Sequence, residues 1–185
     1  MARSAICLLG LTLALALGGC GPEAAPAAPE PRGGLGRVVR VVDGDTVAVR
    51  IGSRLERVRL LGIDAPQRPG GGGFGECGGD QAQRALERFA LGATGGRGLR
   101  VRISFDLQQE RRDRAGRLIA YADLAPGRGL AERQLEAGLA EPYVYRGRRF
   151  ERLAEYRTLS AAARRRSSGI FGACGGAFHR SEESD

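Results

Sequence analysis

Five short runs rich in β-branched residues, with one helical pattern after the third and two more at the end, narrow the folds open to this chain. Residues 38–42 and 47–51 flank Asp43-Gly44-Asp45, and an Asp-Gly pair between such runs is a strong hairpin signal. Residues 55–63 give a third strand after a Gly52-Ser53 turn. Leu99, Val101, Ile103 and Phe105 alternate with Arg100, Arg102 and Ser104, the period of a half-buried fourth strand. Residues 118–124 make the fifth, entered through the turn Asp113-Arg114-Ala115-Gly116. Ala82, Ala85, Leu86 and Phe89 share a helical face, with Asp80 as its N-cap and Gln83 as capping-box partner. Residues 130–137, ended by Gly138, and 150–166, ended near Gly169, read as two closing helices. Strands and helices do not alternate as they do in α/β folds. The order predicts an α+β domain: a five-stranded Greek-key barrel of the OB type, capped by about three helices. A ferredoxin-like sandwich would need its helices to alternate with the strands.

The ends of the chain read differently from its middle. Arg3 and an apolar run over 6–17 have the form of a secretory leader, too short for a bilayer-crossing helix of about 20 apolar residues. The run closes in Leu17-Gly18-Gly19-Cys20, which resembles the lipobox of bacterial lipoproteins. Residues 1–19 are therefore expected to be a signal peptide, and Cys20 the lipidated residue; ordinary secretion is the alternative. Residues 20–36, rich in Pro, Ala and Gly, form a tether. The folded domain is expected over 37–174, with a polar tail over 175–185. The expected location is the cell envelope, on the outer side of a membrane reached through the lipid anchor.

Histidine and cysteine limit the chemistry. The one histidine, His179, lies in the tail, so catalysis through an imidazole inside the fold is excluded. Carboxylates, arginines and a hard metal remain. Cys7 leaves with the leader and Cys20 would be lipidated, leaving Cys77 and Cys174, an even pair that predicts a disulfide in an exported protein. Two cysteines without histidine support do not make a structural zinc site. The net charge of +8, carried by arginine without lysine, suits an anionic partner such as nucleic acid or a lipid surface.

Arg59 lies in the third apolar run, on the strand face shared with Leu61 and Ile63, and a cation there calls for an anionic partner. Asp45, leaving the first turn, and Asp64, at the end of the third run, are the candidates. Carboxylates at neighbouring strand ends can hold an oxygen-seeking cation such as calcium, or simply pair with the arginine.

Three segments resemble the signature of the staphylococcal-nuclease-like (thermonuclease) family: Asp43-Gly44-Asp45-Thr46, the run from Arg59 through Leu60-Leu61-Gly62-Ile63-Asp64-Ala65-Pro66, and Asp113-Arg114-Ala115-Gly116-Arg117-Leu118-Ile119-Ala120-Tyr121. The likeness continues through Gln134 to Ala140 and Gly169-Ile170-Phe171-Gly172, covering roughly residues 37–174. It implies a calcium-dependent endonuclease on an OB fold, acting on DNA or RNA; no protein partner is implied, and a monomer is expected. By that resemblance Asp45, Asp64 and the carbonyl of Ala65 would bind the metal. Arg59 and Arg117 would hold the phosphate and stabilise developing charge, and Arg114 and Tyr143 would contact substrate. It also implies that Cys77 pairs with Cys174. Ala65 stands in place of a threonine and Ala115 in place of a tyrosine. Gln67 stands where the family has a glutamate acting as general base, and an amide cannot take a proton at neutral pH. Reduced activity is the expectation, with a catalytically impaired nucleic-acid-binding lipoprotein as the alternative. Glu76 or Asp80 could substitute, or they could be a solvated loop charge and a helix cap.

Overall fold

A computed structural model describes residues 33–69, 75–92, 98–124 and 127–176. The expected leader, Cys20, the Gly70–Gly73 run and His179 lie outside the described residues.

The strands are β1 (Gly34–Asp43), β2 (Thr46–Ile51), β3 (Arg54–Leu60), β4 (Ile63–Asp64), β5 (Arg100–Ser104), β6 (Leu118–Leu124) and β7 (Glu141–Pro142). The helices are α1 (Gly79–Leu91), α2 (Leu130–Glu136), α3 (Leu153–Arg165) and α4 (Ile170–Ala173), with a 3-10 turn over Tyr145–Gly147. β1, β2, β3, β6 and β5 close into a barrel in that order. The pairs are antiparallel except β3 with β6, where Val58, Arg59 and Leu60 face Leu118, Ile119 and Ala120 in parallel register. This is the expected OB-type architecture. Closure leaves the barrel without a free edge.

Alternation places the core. Val38, Val47, Val49, Val58, Leu60, Val101, Ile103, Leu118 and Ala120 are all buried, while Arg100 and Arg102 of β5 face outward. α1 adds Ala82, Ala85, Leu86 and Ala90 to the same core, and α2 and α3 add Leu130, Leu135, Leu153 and Tyr156.

Three local expectations change. β1 begins at Gly34, inside the stretch expected as tether. The third strand stops at Leu60 rather than Ile63, because Gly62 takes a left-handed φ of 81° and any Cβ there would run into the Phe150 ring. Past that turn Ile63 and Asp64 pair with Pro142 and Glu141. Arg59 therefore does not share a strand face with Leu61 and Ile63; it points outward between the inward Val58 and Leu60. At α1 the cap is Gly78, with φ 87° and no side-chain cap bond. Gly78 packs on Ile170 and Gly79 on the Gln67 backbone, so the helix starts two residues earlier than an Asp80 cap would allow. Asp80 sits in its first turn, where a negative charge suits the dipole, and accepts from Arg68 Nε at 2.7 Å. Gln83 bonds Glu87 and Arg68 instead of closing a capping box.

Two polar nodes tie the helices to the barrel. Arg152 donates to both carboxylate oxygens of Asp123 and to Glu132 Oε1, with its guanidinium 4.0 Å from the Tyr121 ring centre. Buried Asp106 accepts from Tyr121 Oη at 2.8 Å, from Glu151 N–H at 2.7 Å and from Gln108 N–H at 2.8 Å. The Cys77–Cys174 disulfide spans 97 residues and joins the start of α1 to the end of α4, as the cysteine count predicted.

Burial pushes the Asp106 carboxyl up, but the Glu151 and Gln108 N–H groups and the Tyr121 hydroxyl outweigh it and hold the group below 3.8. A depressed folded value gives stability that is complete above the unfolded value and lost as pH falls through the folded one. The melting temperature should thus fall as pH drops below about 4, and Asp106→Asn should flatten that decline, as read in melts across pH. Asp106→Ala, which strands a buried hydroxyl and N–H, should cost about 2–4 kcal/mol in urea denaturation. Reduction of the disulfide should lower unfolding free energy by up to about 4–5 kcal/mol, measured in matched melts with and without reductant.

Candidate active site

Asp45 leaves the β1–β2 turn fully buried. An isolated carboxylate could not remain ionised there, and both of its oxygens are engaged. Oδ1 accepts from Thr46 Oγ1 at 2.9 Å, and Oδ2 accepts from the Ala65 N–H at 3.1 Å. Arg59 Nη1 pairs with the same Oδ2. The Asp45 N–H in turn donates to Asp43 Oδ1 at 3.1 Å. Burial pushes the Asp43 carboxyl above its ordinary range, against the Thr46 hydroxyl and the charges of Arg59 and Arg117.

The turn is held from below. A Cβ on Gly44 would lie 2.8 Å from Ala65 Cβ and 2.9 Å from Ala82 Cβ, so no other residue fits between them. The Gly44 carbonyl accepts from Gln134 Nε2 at 2.6 Å, and the same amide donates to the Ala82 carbonyl at 2.9 Å. Gln134 is fully buried, and it connects α2, α1 and the acid turn through one side chain.

Arg59 reaches from the end of β3 to both acids, with Nη2 2.7 Å from Asp64 Oδ1. Arg117 sits next to it because β3 and β6 run in parallel register. Asp113 braces Arg117 twice, accepting from its N–H at 2.9 Å and its Nε at 2.6 Å. Burial raises the Asp113 carboxyl, but these Arg117 bonds win and hold it below its ordinary value. Arg117 Nη1 also lies 3.4 Å from Thr46 Oγ1. Arg59, Asp64, Arg114, Arg117 and Tyr143, far apart in sequence, line one cavity of about 590 Å³, with Asp45 paired to Arg59.

Gln67 and Glu76 stand apart from that cavity. Gln67 Nε2 donates to the Ala65 carbonyl at 3.0 Å. Its backbone N–H donates to Glu76 Oε2 at 2.7 Å, and Glu76 N–H returns a bond to the Gln67 carbonyl at 2.8 Å. Glu76 lines a second cavity, of about 270 Å³, beside Cys77, Asp80 and Cys174. Its carboxylate braces the backbone of position 67 rather than facing the arginines, and Asp80 is engaged by Arg68.

Asp43, Thr46, Asp113 and Gln134 were missed as site residues. The first three lie inside the motif segments, and each is a short polar residue beside a named one. Gln134 gave only the signal of a polar residue on the buried face of a helix.

Oxygen acids and guanidinium groups gathered at the strand ends of a closed barrel define an OB-type domain with a charged surface site. The chain belongs to the staphylococcal nuclease homologue family, whose model matches residues 57–172. It is similar to the SPbeta prophage-derived endonuclease YokF of Bacillus subtilis (strain 168), with 32% identity over 107 residues, 57% of this chain and 33% of that protein. Thermonuclease of Staphylococcus hyicus is 30% identical over 111 residues, 60% of each chain. Endonuclease YncB of Bacillus subtilis (strain 168) is 30% identical over 107 residues, 57% of this chain and 47% of that protein. The chain thus spans between 33% and 60% of the length of these relatives.

Gln134→Leu preserves volume but removes the amide bonds to the buried Gly44 carbonyl and to the Ala82 carbonyl, which keeps its partner within α1. It should cost about 2–4 kcal/mol in chemical denaturation.

Proposed function

We propose that this chain is a nuclease that hydrolyses phosphodiester bonds of DNA or RNA with a bound calcium ion. The observation that carries the reading is the convergence of Asp45 and Asp64 on Arg59, with Arg117 in the same setting. Two arginines presented together suit bidentate capture of a phosphate.

The residues fit a hard divalent cation. Asp43, Asp45 and Asp64 bring more negative charge to this corner than Arg59 and Arg117 neutralise, since Arg117 is also claimed by Asp113. Among the described residues no three His, Cys, Asp or Glu side chains are placed to hold a metal ion together, so the protein would offer a cation two carboxylates and a carbonyl. The donors available are Asp45, Asp64 and the Ala65 carbonyl, an all-oxygen set of the kind calcium accepts, with water completing it. When bound, such a cation supplies positive charge against the phosphate and favours ionisation of water.

The chain's own groups do the rest. Arg59 and Arg117 bind the phosphate oxygens and oppose the charge that grows on them as the bond to the leaving oxygen lengthens. Asp113 keeps Arg117 aimed. The Gln67 carboxamide oxygen can accept a hydrogen bond from an incoming water but cannot carry its proton away. Hydrolysis therefore proceeds without a positioned base and is slowed. The impaired-binder reading draws on the same residue, because Glu76 is engaged in bracing position 67 and Asp80 in pairing Arg68. We further propose an exported, lipid-anchored monomer, supported by the leader pattern, Cys20 and the Cys77–Cys174 bond.

Nicking of supercoiled plasmid and of single-stranded DNA, with calcium or chelator, tests the reading on native protein and Gln67→Glu. Native protein should cut slowly and only with calcium, and Gln67→Glu should cut about 10²–10⁴ times faster. Cutting by the variant alone would favour the binder. Absence of cutting by both would sink the site assignment.

A further inference from the structure

A second cluster of arginines lies on the barrel wall, apart from the cavity. Strand register sets Arg37 of β1 directly between Arg100 of β5 and Arg50 of β2, and Arg50 in turn opposite Leu55 of β3. One row thus crosses four neighbouring strands on the outside of the barrel, about 14 Å wide. Leu35 and Arg102 form the next pair on the same face. Like charges directly opposite one another across strands are destabilising, so this row calls for an anion. Among the described residues the side chains of Arg50, Arg100 and Arg102 make no hydrogen bond or ion pair. Arg37 donates to a neutral group, the Gly98 carbonyl, at 2.8 Å. The acids that register brings nearest are Asp123, opposite Arg102, and Glu56, next to Leu55. They are held by Arg152 and Arg112.

The apolar part of this face is aliphatic. Leu35 and Leu55 are 57% and 53% exposed, and the register sets both beside arginines. The exposed aromatic rings, on which bases could stack, are Tyr143 and Tyr145, and these line the cavity instead. Arginines with aliphatic side chains among them match a bilayer interface, where binding grows with buried apolar area and with attraction to anionic lipid. Chain length supports the same partner. Residues 21–33 separate Cys20 from β1, a reach of at most about 45 Å. A chain anchored at Cys20 therefore keeps its first strand at high effective concentration near the membrane surface. We propose that the face formed by β5, β1 and β2 docks on an anionic bilayer, with lipid phosphates at its arginines and Leu35 and Leu55 at the headgroup boundary. Asp43 ends β1 six residues beyond Arg37, about 20 Å away, so docking leaves the acid turn and the cavity open to substrate. The proposal extends the anchored reading and is independent of the nuclease one.

The chain holds no tryptophan, so Leu55→Trp in the full-length protein places a single tryptophan on the face. Its emission is read in vesicles of brominated phosphatidylcholine, with and without phosphatidylglycerol. It should be quenched in the anionic vesicles and far less in the zwitterionic ones. It should recover in about 1 M salt, where the Debye length falls to about 3 Å. Each arginine at an anionic surface contributes about fivefold to binding. Arg50→Gln/Arg100→Gln/Arg102→Gln should therefore lower the docking equilibrium about 10²-fold, with no loss of melting temperature, since like charges are removed. Ala161→Trp, exposed on α3, which packs on α2, β7 and α4, should stay unquenched in both vesicles. Equal quenching at positions 55 and 161, or quenching unchanged by the three arginine changes, would overturn the docking face. So would loss of octathymidylate binding in the triple variant with quenching retained, which would assign the row to nucleic acid. Co-sedimentation with zwitterionic vesicles reports the anchor by itself. A chain that washes off them, yet is quenched on anionic ones, keeps the docking face and loses the anchored reading.

Discussion

The Asp45 carboxylate is the point on which the site's geometry depends. It is a fully buried charge, and the compensation it requires draws three pieces of chain together. Thr46 comes from β2, Arg59 from β3 and the Ala65 N–H from the segment after β4. Removing a partner from such a group leaves an uncompensated charge, which costs more than the pair itself contributes. The strand ends are therefore fixed by the same contacts that give the site its charge. Asp64 follows, since Arg59 is stretched between the two acids.

Barrel closure supplies the second half of the arrangement. The parallel β3–β6 pairing sets Arg59 against Ile119 and thereby brings Arg117 to Arg59's side. Helices reinforce this from behind through buried polar groups rather than apolar contact alone. Gln134 holds the acid turn, and Arg152 ties β6, α2 and α3 through Asp123 and Glu132. Arg59, Arg117 and Arg152 all pair with acids of the fold, which is why net charge by itself said little about which arginines could face a ligand.

What the sequence showed and what it hid have a common physical basis. Val101 and Ile103 alternate with arginines, and period two needs no distant information, so β5 was legible. Asp45, Asp64, Arg59 and Arg117 were legible as spaced motif residues. The break at Gly62 was not, because its cause, the Phe150 ring, lies far down the chain. Asp80 looked like a cap because its local spacing was right, yet packing of Gly78 on Ile170 decided where α1 begins. Gln134 pairs with a carbonyl 90 residues away, and only the folded chain brings the two together. Local rules held where local forces decide, and failed where tertiary contact overrides them.

The Gln67 amide deserves to be seen as a substitution with two faces. Its Nε2 grips the Ala65 carbonyl, the oxygen proposed to face the cation. A carbonyl oxygen carries two lone pairs, so one can be held by the amide while the other stays available. A glutamate at this position, ionised at neutral pH, has no hydrogen to offer that oxygen. Donor and proton acceptor exclude one another at a single side chain. With glutamine at position 67 the chain holds one peptide plane by a hydrogen bond that an ionised side chain there could not donate.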